Sequence, residues 1–246
     1  MSRSGRTIDG HPTNPLVVVV TGASRGVGLE LTRHLHDDGH RVIAACRRPD
    51  DSHDLASIGV PIVPLDLDDD ATIDVFAERV ARNEPIVDIV VNNAGVKRAP
   101  GHSWSESAGP LPELSRSSLR SVIDTNLIGA LLVTQAIAPI VRRPGGTIVN
   151  VSSQLGSLEL STGLDYGYNC SKAGLNMATV QMSRDPALAG VTVVAMNPGW
   201  IRTEMSGDDA PLDIIEATRE IADLLPRIVD EMNGCFVDRF GSNIDW

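Results

Sequence analysis

Short runs of apolar residues, many of them β-branched, recur along the chain between more polar stretches. The first, at residues 16–20, lies between Pro15 and Gly22, a pattern typical of a strand buried on both faces. Similar runs lie at residues 41–45, 62–65, 86–91, 147–151 and 191–196. Helix-compatible segments separate most of them, which is typical of βαβ units. The pattern predicts an α/β fold with a doubly wound, mostly parallel sheet.

The chain length of 246 residues fits one domain of this kind. Residues 1–14 are polar, and we expect a flexible N-terminal arm followed by a single domain over residues 15–246. The longest predicted loop covers residues 97–117, which are rich in Pro, Gly and Ser and long enough to be functional.

Composition narrows the partners that the chain can bind. A formal charge of −11 argues against a nucleic-acid or anionic membrane surface, so we expect a small-molecule substrate. The three cysteines have no metal-site or disulfide spacing, which favours the cytoplasm. We find no secretory signal, and no run approaching the ~18 apolar residues of a membrane span.

A glycine-rich turn follows the first predicted strand and opens a predicted helix. It reads Thr21-Gly22-Ala23-Ser24-Arg25-Gly26-Val27-Gly28. Glycines at these positions allow a sharp turn and a close approach of the backbone to a pyrophosphate, while the helix N-terminus offers free N–H groups. The order of strand, turn and helix predicts dinucleotide binding in a Rossmann-type sheet.

The end of the second predicted strand indicates which dinucleotide binds. Sites for NAD usually carry an acidic residue there, but this chain has Cys46 followed by Arg47 and Arg48. Two guanidinium groups without a carboxylate favour the 2′-phosphate of NADP over NAD. Arg25 is a further candidate for the same phosphate.

Later strand ends supply further candidates. Asp66 either accepts a hydrogen bond from the adenine amino group or caps the helix that begins near Asp70. The fourth strand ends in Asn92-Asn93-Ala94-Gly95, whose small residues would let a cofactor lie across the strand end.

Residues 118–140 form a predicted helix that is apolar nearly all the way round, so it has no water-facing side. One face would cover the sheet. We interpret the other as a subunit interface of a homo-oligomer, either a dimer or a tetramer, with a lid or an extra core layer as the alternative.

Tyr168 and Lys172 are four residues apart, so in a helix they share one face. With the glycine turn, Asn93, Asn126, Ser153 and Pro198-Gly199, this pair resembles the short-chain dehydrogenase/reductase family over nearly the whole chain. Within the family, the sequence around Ser153 and Tyr168 is similar to the C-factor and sniffer-type carbonyl reductases. Most members place the serine thirteen residues before the tyrosine, which would select Tyr166, but only Tyr168 has a lysine four residues on.

The resemblance implies an NADP-dependent oxidoreductase that transfers a hydride to or from a carbonyl or hydroxyl carbon. It implies four catalytic residues. Tyr168 is the acid/base, Ser153 hydrogen-bonds the substrate oxygen, Lys172 favours the phenolate and holds the nicotinamide ribose, and Asn126 links the lysine to solvent through water. The nucleotide would bind Gly22, Ser24, Arg25, Gly26, Val27, Gly28, Arg47, Arg48, Asp66, Leu67, Asn93, Ala94, Gly95, Tyr168, Lys172, Pro198, Gly199, Ile201 and Thr203.

Two other functions remain open on the same residues. One is an NADP-binding signalling protein with little turnover, because the resembled branch includes developmental signals. The other is a dehydratase or epimerase on the same fold. No metal site is predicted, and the expected substrate loop, residues 204–211, does not identify the substrate.

Overall fold

The computed structural model describes residues 15–98, 101, 111–163 and 165–246. The predicted arm at residues 1–14 and much of the loop at residues 97–117 lie outside the described residues. The described residues form seven strands, namely β1 Val17–Thr21, β2 Arg41–Cys46, β3 Ile62–Pro64, β4 Ile89–Asn92, β5 Gly146–Val151, β6 Val191–Asn197 and β7 Phe236–Asp238.

Helices occupy most of the chain between the strands. They are α1 Gly26–Asp37, α2 His53–Ala56, α3 Asp70–Asn83, α4 Arg116–Ile123, α5 Gly129–Ile137, α6 Tyr166–Met182 and α7 Ile214–Leu224. A π-helical turn, Asp124–Ile128, joins α4 to α5. The predicted helix at residues 118–140 is therefore interrupted at its centre, where the turn carries Asn126.

The sheet is entirely parallel, with the strand order β3-β2-β1-β4-β5-β6-β7. This confirms the predicted doubly wound, single-domain α/β fold. The chain moves outward from β1 in one direction and returns to β4 on the other side of β1. The strand order thus reverses between β1 and β4, the position at which open α/β sheets bind ligands.

Alternating side chains of the strands build one core layer on each face of the sheet. Val18 and Val20 of β1 belong to the layer covered by α1 and α7. Val17 and Val19 belong to the layer covered by α3, α5 and α6. Burial on both faces explains why β1 is an unbroken apolar run instead of an alternating one.

The apolar segment Arg116–Ile140 reaches a mean hydropathy of 1.4 over a length that could cross a membrane. This corrects the sequence expectation that no run approaches that length and composition. Packing accounts for part of its apolar character, because Val133 and Ile137 lie in the core layer. Thr134, also buried, accepts a hydrogen bond from Asn92 Nδ2 of β4 at 2.9 Å.

Candidate active site

One cleft of about 910 Å³ opens at the carboxyl edge of the sheet, where the strand order reverses. Every residue predicted to bind the nucleotide lines this cleft. Met205 and Ser206 of the expected substrate loop line it too, as do residues without a predicted role, among them Asp68, Thr125 and Ile214. The topology thus gathers residues from positions 22 to 214 around one space.

The glycine turn leaves no room for side chains at two positions. A Cβ on Gly22, whose φ is +66°, would lie 2.7 Å from Ala94 Cα. A Cβ on Gly28 would lie 2.4 Å from Gly22 O and 2.5 Å from Asn93 Nδ2. Asn93 Nδ2 also donates to Thr21 O at 2.8 Å, so the turn and the end of β4 are held against each other.

The N-terminus of α1 faces the cleft with its first N–H groups free of any side-chain cap. Arg25 is the residue before the helix, its backbone is extended, and among the described residues no side-chain hydrogen bond caps the helix. Gly26, Val27 and Gly28 all line the cleft. Uncapped N–H groups beside a glycine cradle fit the pyrophosphate of a dinucleotide.

Arginines surround the part of the cleft next to β2. Cys46 is buried at the strand end, whereas Arg47 and Arg48 are exposed and line the cleft. Arg48 Nη1 lies 3.8 Å from Asp51 Oδ2. Arg25 forms an ion pair with Glu204, across the cleft mouth on the predicted substrate loop.

Asp66 lines the cleft, and its predicted alternative role as a helix cap is wrong. Asp69 caps α3 by accepting a hydrogen bond from Ala71 N at 3.0 Å. The Asp66 carboxylate instead accepts a hydrogen bond from Asp68 N at 3.2 Å. Because α3 begins at Asp70, its Ncap position is Asp69, which lies three residues after Asp66.

Tyr168 and Lys172 lie in the first two turns of α6, on the side that faces the cleft. The Tyr168 hydroxyl is hydrogen-bonded to the Ser153 side chain. Lys172 Nζ donates to Val151 O at 2.7 Å and lies 5.7 Å from the centre of the Tyr168 ring. The structure thus brings serine, tyrosine and lysine together.

Burial shifts the proton equilibria of both titratable groups. Desolvation raises the pKa of Tyr168 to about 12, with a contribution from the Asp165 charge, and the Ser153 hydrogen bond opposes the rise. Desolvation also lowers the pKa of Lys172 to about 8. Each shift favours the neutral form of the buried group.

Two glycines pack close to Lys172. A Cβ on Gly156 would lie 2.8 Å from the Lys172 carbonyl carbon, so the turn after β5 packs directly on α6. A Cβ on Gly95 would lie 3.1 Å from Asn126 Oδ1 and 3.6 Å from Lys172 Nζ. Gly95 therefore leaves room for the amide and the ammonium group to approach each other.

Asn126 is buried within the π-helical turn and contacts two other segments. Its Oδ1 accepts from Val96 N at 2.7 Å and its Nδ2 donates to Val96 O at 2.8 Å. Nδ2 also lies 2.9 Å from Ser171 Oγ, and that hydroxyl donates to Tyr168 O at 2.7 Å. One amide thus ties the loop after β4 to the helix that carries the tyrosine.

Comparison with known proteins assigns this arrangement to a family. The sequence model described as short chain dehydrogenase matches residues 16–211. The chain belongs to the short-chain dehydrogenase family. As a member, it is an NAD(P)-dependent oxidoreductase, which confirms the predicted class of enzyme.

Three similar proteins illustrate the relationship. The 1-hydroxy-2-glutathionyl-2-methyl-3-butene dehydrogenase of Rhodococcus sp. strain AD45 is 28% identical, with 93% of this chain and 99% of that protein covered. Carbonyl reductase Sniffer of D. melanogaster superposes with a TM-score of 0.86 at 25% identity, over 95% of this chain and all of that one. An NADPH-bound carbonyl reductase from chicken fatty liver gives 0.85 at 28% identity, with the same coverage.

Two of the candidate residues have a neighbour of the same type, Ser152 beside Ser153 and Tyr166 near Tyr168, and the surroundings of the two members of each pair differ. Tyr166 is 37% exposed and is not among the described residues that line the cleft. The Ser152 hydroxyl is buried and donates to Asn176 Oδ1 of α6. Ser152 lines the cleft and Ser153 is not among the described lining residues, but the Ser153 side chain is the one that is hydrogen-bonded to the Tyr168 hydroxyl.

The segment after β6 closes the other side of the cleft. Pro198, Gly199, Ile201 and Thr203 line it, as does Met205, which is 42% exposed. Trp200 is 56% exposed and is not among the described lining residues.

Two ion pairs at the site of the dehydrogenase were not predicted from sequence. Arg25 pairs with Glu204, and Lys97 Nζ lies 3.1 Å from Asp165 Oδ2. Asp165 immediately precedes α6, and an acidic residue before a helix is a recognisable signal. Lys97 and Glu204 carry no comparable signal, because their partners are 68 and 179 residues away in sequence.

Proposed function

We propose that the chain is an NADP-dependent carbonyl reductase or alcohol dehydrogenase acting on a small organic substrate, with Tyr168 as the acid/base. The contact between Tyr168, Ser153 and Lys172 at the cleft of the glycine turn carries this proposal. The similarity to NADPH-bound carbonyl reductases supports it.

Each residue of the site has a chemical role in this proposal. Ser153 donates a hydrogen bond to the substrate oxygen and holds it beside Tyr168, and Tyr168 donates a proton to that oxygen during reduction. Lys172 stabilises the phenolate that forms, because a nearby cation favours the charged form. When bound, the nicotinamide supplies the hydride for reduction or accepts it in oxidation.

The proton equilibria suit reduction near neutral pH. With a pKa of about 12, Tyr168 keeps its proton until a substrate oxygen requires it. With a pKa of about 8, Lys172 is still mostly charged near pH 7, although it is buried. A positioned acid/base of this kind contributes roughly 10²- to 10⁴-fold to the rate.

We also propose that the enzyme prefers NADP to NAD. Arg47 lines the cleft and forms no ion pair with any described residue, so its guanidinium is available to a 2′-phosphate. Cys46 stands where a ribose-binding carboxylate would repel that phosphate. Arg48 and Arg25 add positive charge, although each already has an acidic neighbour.

Homo-oligomer formation through the outer face of α5 and its π-helical turn remains a proposal. Ile128 is 43% exposed, while Leu131 and Leu132 are partly buried against the core. An exposed isoleucine beside partly covered leucines is compatible with a subunit contact, and the predicted dimer or tetramer can be tested by light scattering of the wild type and of Ile128→Glu.

Turnover with a panel of substrates tests the enzymatic proposal. NADPH consumption should be detectable with at least one class among ketones, aldehydes and quinones, and Tyr168→Phe should reduce it roughly 10²-fold or more. Tyr166→Phe is the matched control, because it removes the same hydroxyl from an exposed ring two residues away, and it should retain activity. Wild-type activity in Tyr168→Phe would refute the proposed role of the tyrosine.

A further inference from the structure

Asp165 has an unusual backbone conformation immediately before the helix that carries the tyrosine. Its φ is +56°, and it is the only non-glycine residue of the described chain with a positive φ. Its side chain is nevertheless buried, with the residue 9% exposed. Burying a carboxylate on a residue with a left-handed backbone costs free energy, which indicates that the charge has a function.

The ordinary structural roles of an aspartate at this position do not apply. Within the described chain, its side chain makes no capping hydrogen bond to α6, although Asn169 N donates to Asp165 O at 2.9 Å. Oδ2 pairs with Lys97 Nζ at 3.1 Å, whereas Oδ1 is buried and has no hydrogen-bond partner among the described residues. The carboxylate is therefore held in place by one cation from the loop after β4.

Three charged or polar groups of the described chain surround Tyr168, which lies one helical turn after Asp165. Lys172, on the next turn of α6, brings a positive charge to within 5.7 Å of the ring centre. Ser153, from the segment after β5, makes a neutral hydrogen bond with the hydroxyl. Asp165 supplies a negative charge, which raises the pKa of the phenol.

We propose that Asp165 is a positioning residue whose negative charge keeps the Tyr168 hydroxyl protonated, and thus available to a carbonyl oxygen. The importance for catalysis rests on the proposed function of Tyr168 as the acid/base. The pKa of Tyr168 agrees with this proposal: burial is the largest cause of its rise, and Asp165 adds to it. A negative charge beside a phenol disfavours the phenolate.

The chain contains only two tyrosines, which makes a direct titration feasible. In a Tyr166→Phe background, the phenol of Tyr168 is the only one left, and its ionisation can be followed by ultraviolet absorbance or by NMR of ring-labelled tyrosine. Asp165→Asn removes the charge with little change in volume, and Asn tolerates the left-handed conformation. The pKa of Tyr168 should fall by roughly half a unit to one unit in this variant.

Lys97→Met tests whether the charge of Asp165, or its ion pair with Lys97, affects Tyr168. It breaks the same contact but leaves the carboxylate, so the pKa of Tyr168 should not fall. Glu78→Gln is a remote control, because it also breaks an exposed ion pair, with Arg82 on α3. An unchanged titration in Asp165→Asn, or an equal fall in Lys97→Met, would overturn the proposal. If Asp165→Asn does not fold, Asp165→Gly removes the same charge at a residue suited to positive φ.

The pH dependence of turnover gives the second readout. With an active substrate, the reduction rate should begin to decline at a lower pH in Asp165→Asn than in the wild type. The high-pH limb of the profile should shift by as many pH units as the pKa of Tyr168 falls. A matched shift supports the proposal, and a titration shift without any shift of the limb refutes the catalytic part of it. If the wild type shows no turnover, the proposed function fails, while the titration still decides whether Asp165 acts on Tyr168.

Discussion

Asn126 makes two of its three amide hydrogen bonds to the main chain of Val96, accepting from Val96 N at 2.7 Å and donating to Val96 O at 2.8 Å. The two hydrogen bonds fix a single loop residue against the π-helical turn. Because Asn126 also contacts Ser171 of α6, the position of the loop is coupled to that of the helix that carries Tyr168.

We expect Asn126→Ala to destabilise the protein by about 1–3 kcal/mol, since it removes three hydrogen bonds and leaves main-chain groups without partners. Denaturant unfolding measures this difference. Asn83→Ala is the matched control, because Asn83 makes one exposed hydrogen bond to Arg79 O at the end of α3. Equal effects of the two substitutions would contradict the importance assigned to the Val96 contacts.

The π-helical turn shows where sequence analysis reached its limit. The apolar run at residues 118–140 correctly predicted helix but not its interruption, because the Val96 contacts that accompany the turn lie thirty residues away in the chain. Strand β7 was missed for another reason. It has three residues, Phe236–Asp238, between Gly234 and Gly241, with too few β-branched residues to resemble a strand.

The parts of the site that were predicted share a local signal. The glycine turn, Arg47 and Arg48, and the Tyr168 and Lys172 pair each lie within a few residues, next to a strand or a helix whose pattern is strong. Pairs such as Lys97 with Asp165 depend on the approach of distant loops, which the sequence of either loop does not reveal.

Stability should depend on pH through Lys172. Its pKa is lowered from 10.5 to about 8, so between these values the unfolded chain binds more protons than the folded one. Stability therefore rises with pH in this window, and the cost of the buried charge is fully present below about 8. In unfolding experiments without nucleotide, the wild type should gain on the order of a few kcal/mol relative to Lys172→Met between neutral pH and 10.5.

The comparison with Lys172→Met removes other titrations from the result. The pKa of Tyr168 is raised from 10.0 to about 12, so the folded protein loses stability as the pH rises through that range. Tyr168 is present in both proteins, so the comparison removes this effect. Lys172→Met also loses the hydrogen bond to Val151 O, which changes the free energy of unfolding by an amount that does not vary with pH below 8. A stability difference that stayed constant up to pH 10.5 would show that Lys172 is not perturbed.

The arginines after β2 should decide the choice of nucleotide. We expect Arg47→Ala to weaken NADPH binding roughly tenfold or more while leaving NADH binding nearly unchanged, since a charge-assisted hydrogen bond contributes about 1.5–3 kcal/mol. Titration calorimetry with both nucleotides measures the ratio. Arg82→Ala removes an exposed arginine of α3 and should alter neither affinity. An equal loss for NADPH and NADH would contradict a contact with the 2′-phosphate.

Glu204 should weaken nucleotide binding by competing for Arg25. The two side chains form an ion pair across the mouth of the cleft, and both are well exposed, at 67% and 77%. An exposed pair contributes about 0–1 kcal/mol, so Glu204→Gln should tighten NADPH binding by up to about fivefold. Asp208→Asn removes a neighbouring exposed charge from the same loop as a control. In an Arg25→Ala background the Glu204→Gln effect should disappear, and its persistence there would show that Glu204 repels the phosphates directly instead of occupying Arg25.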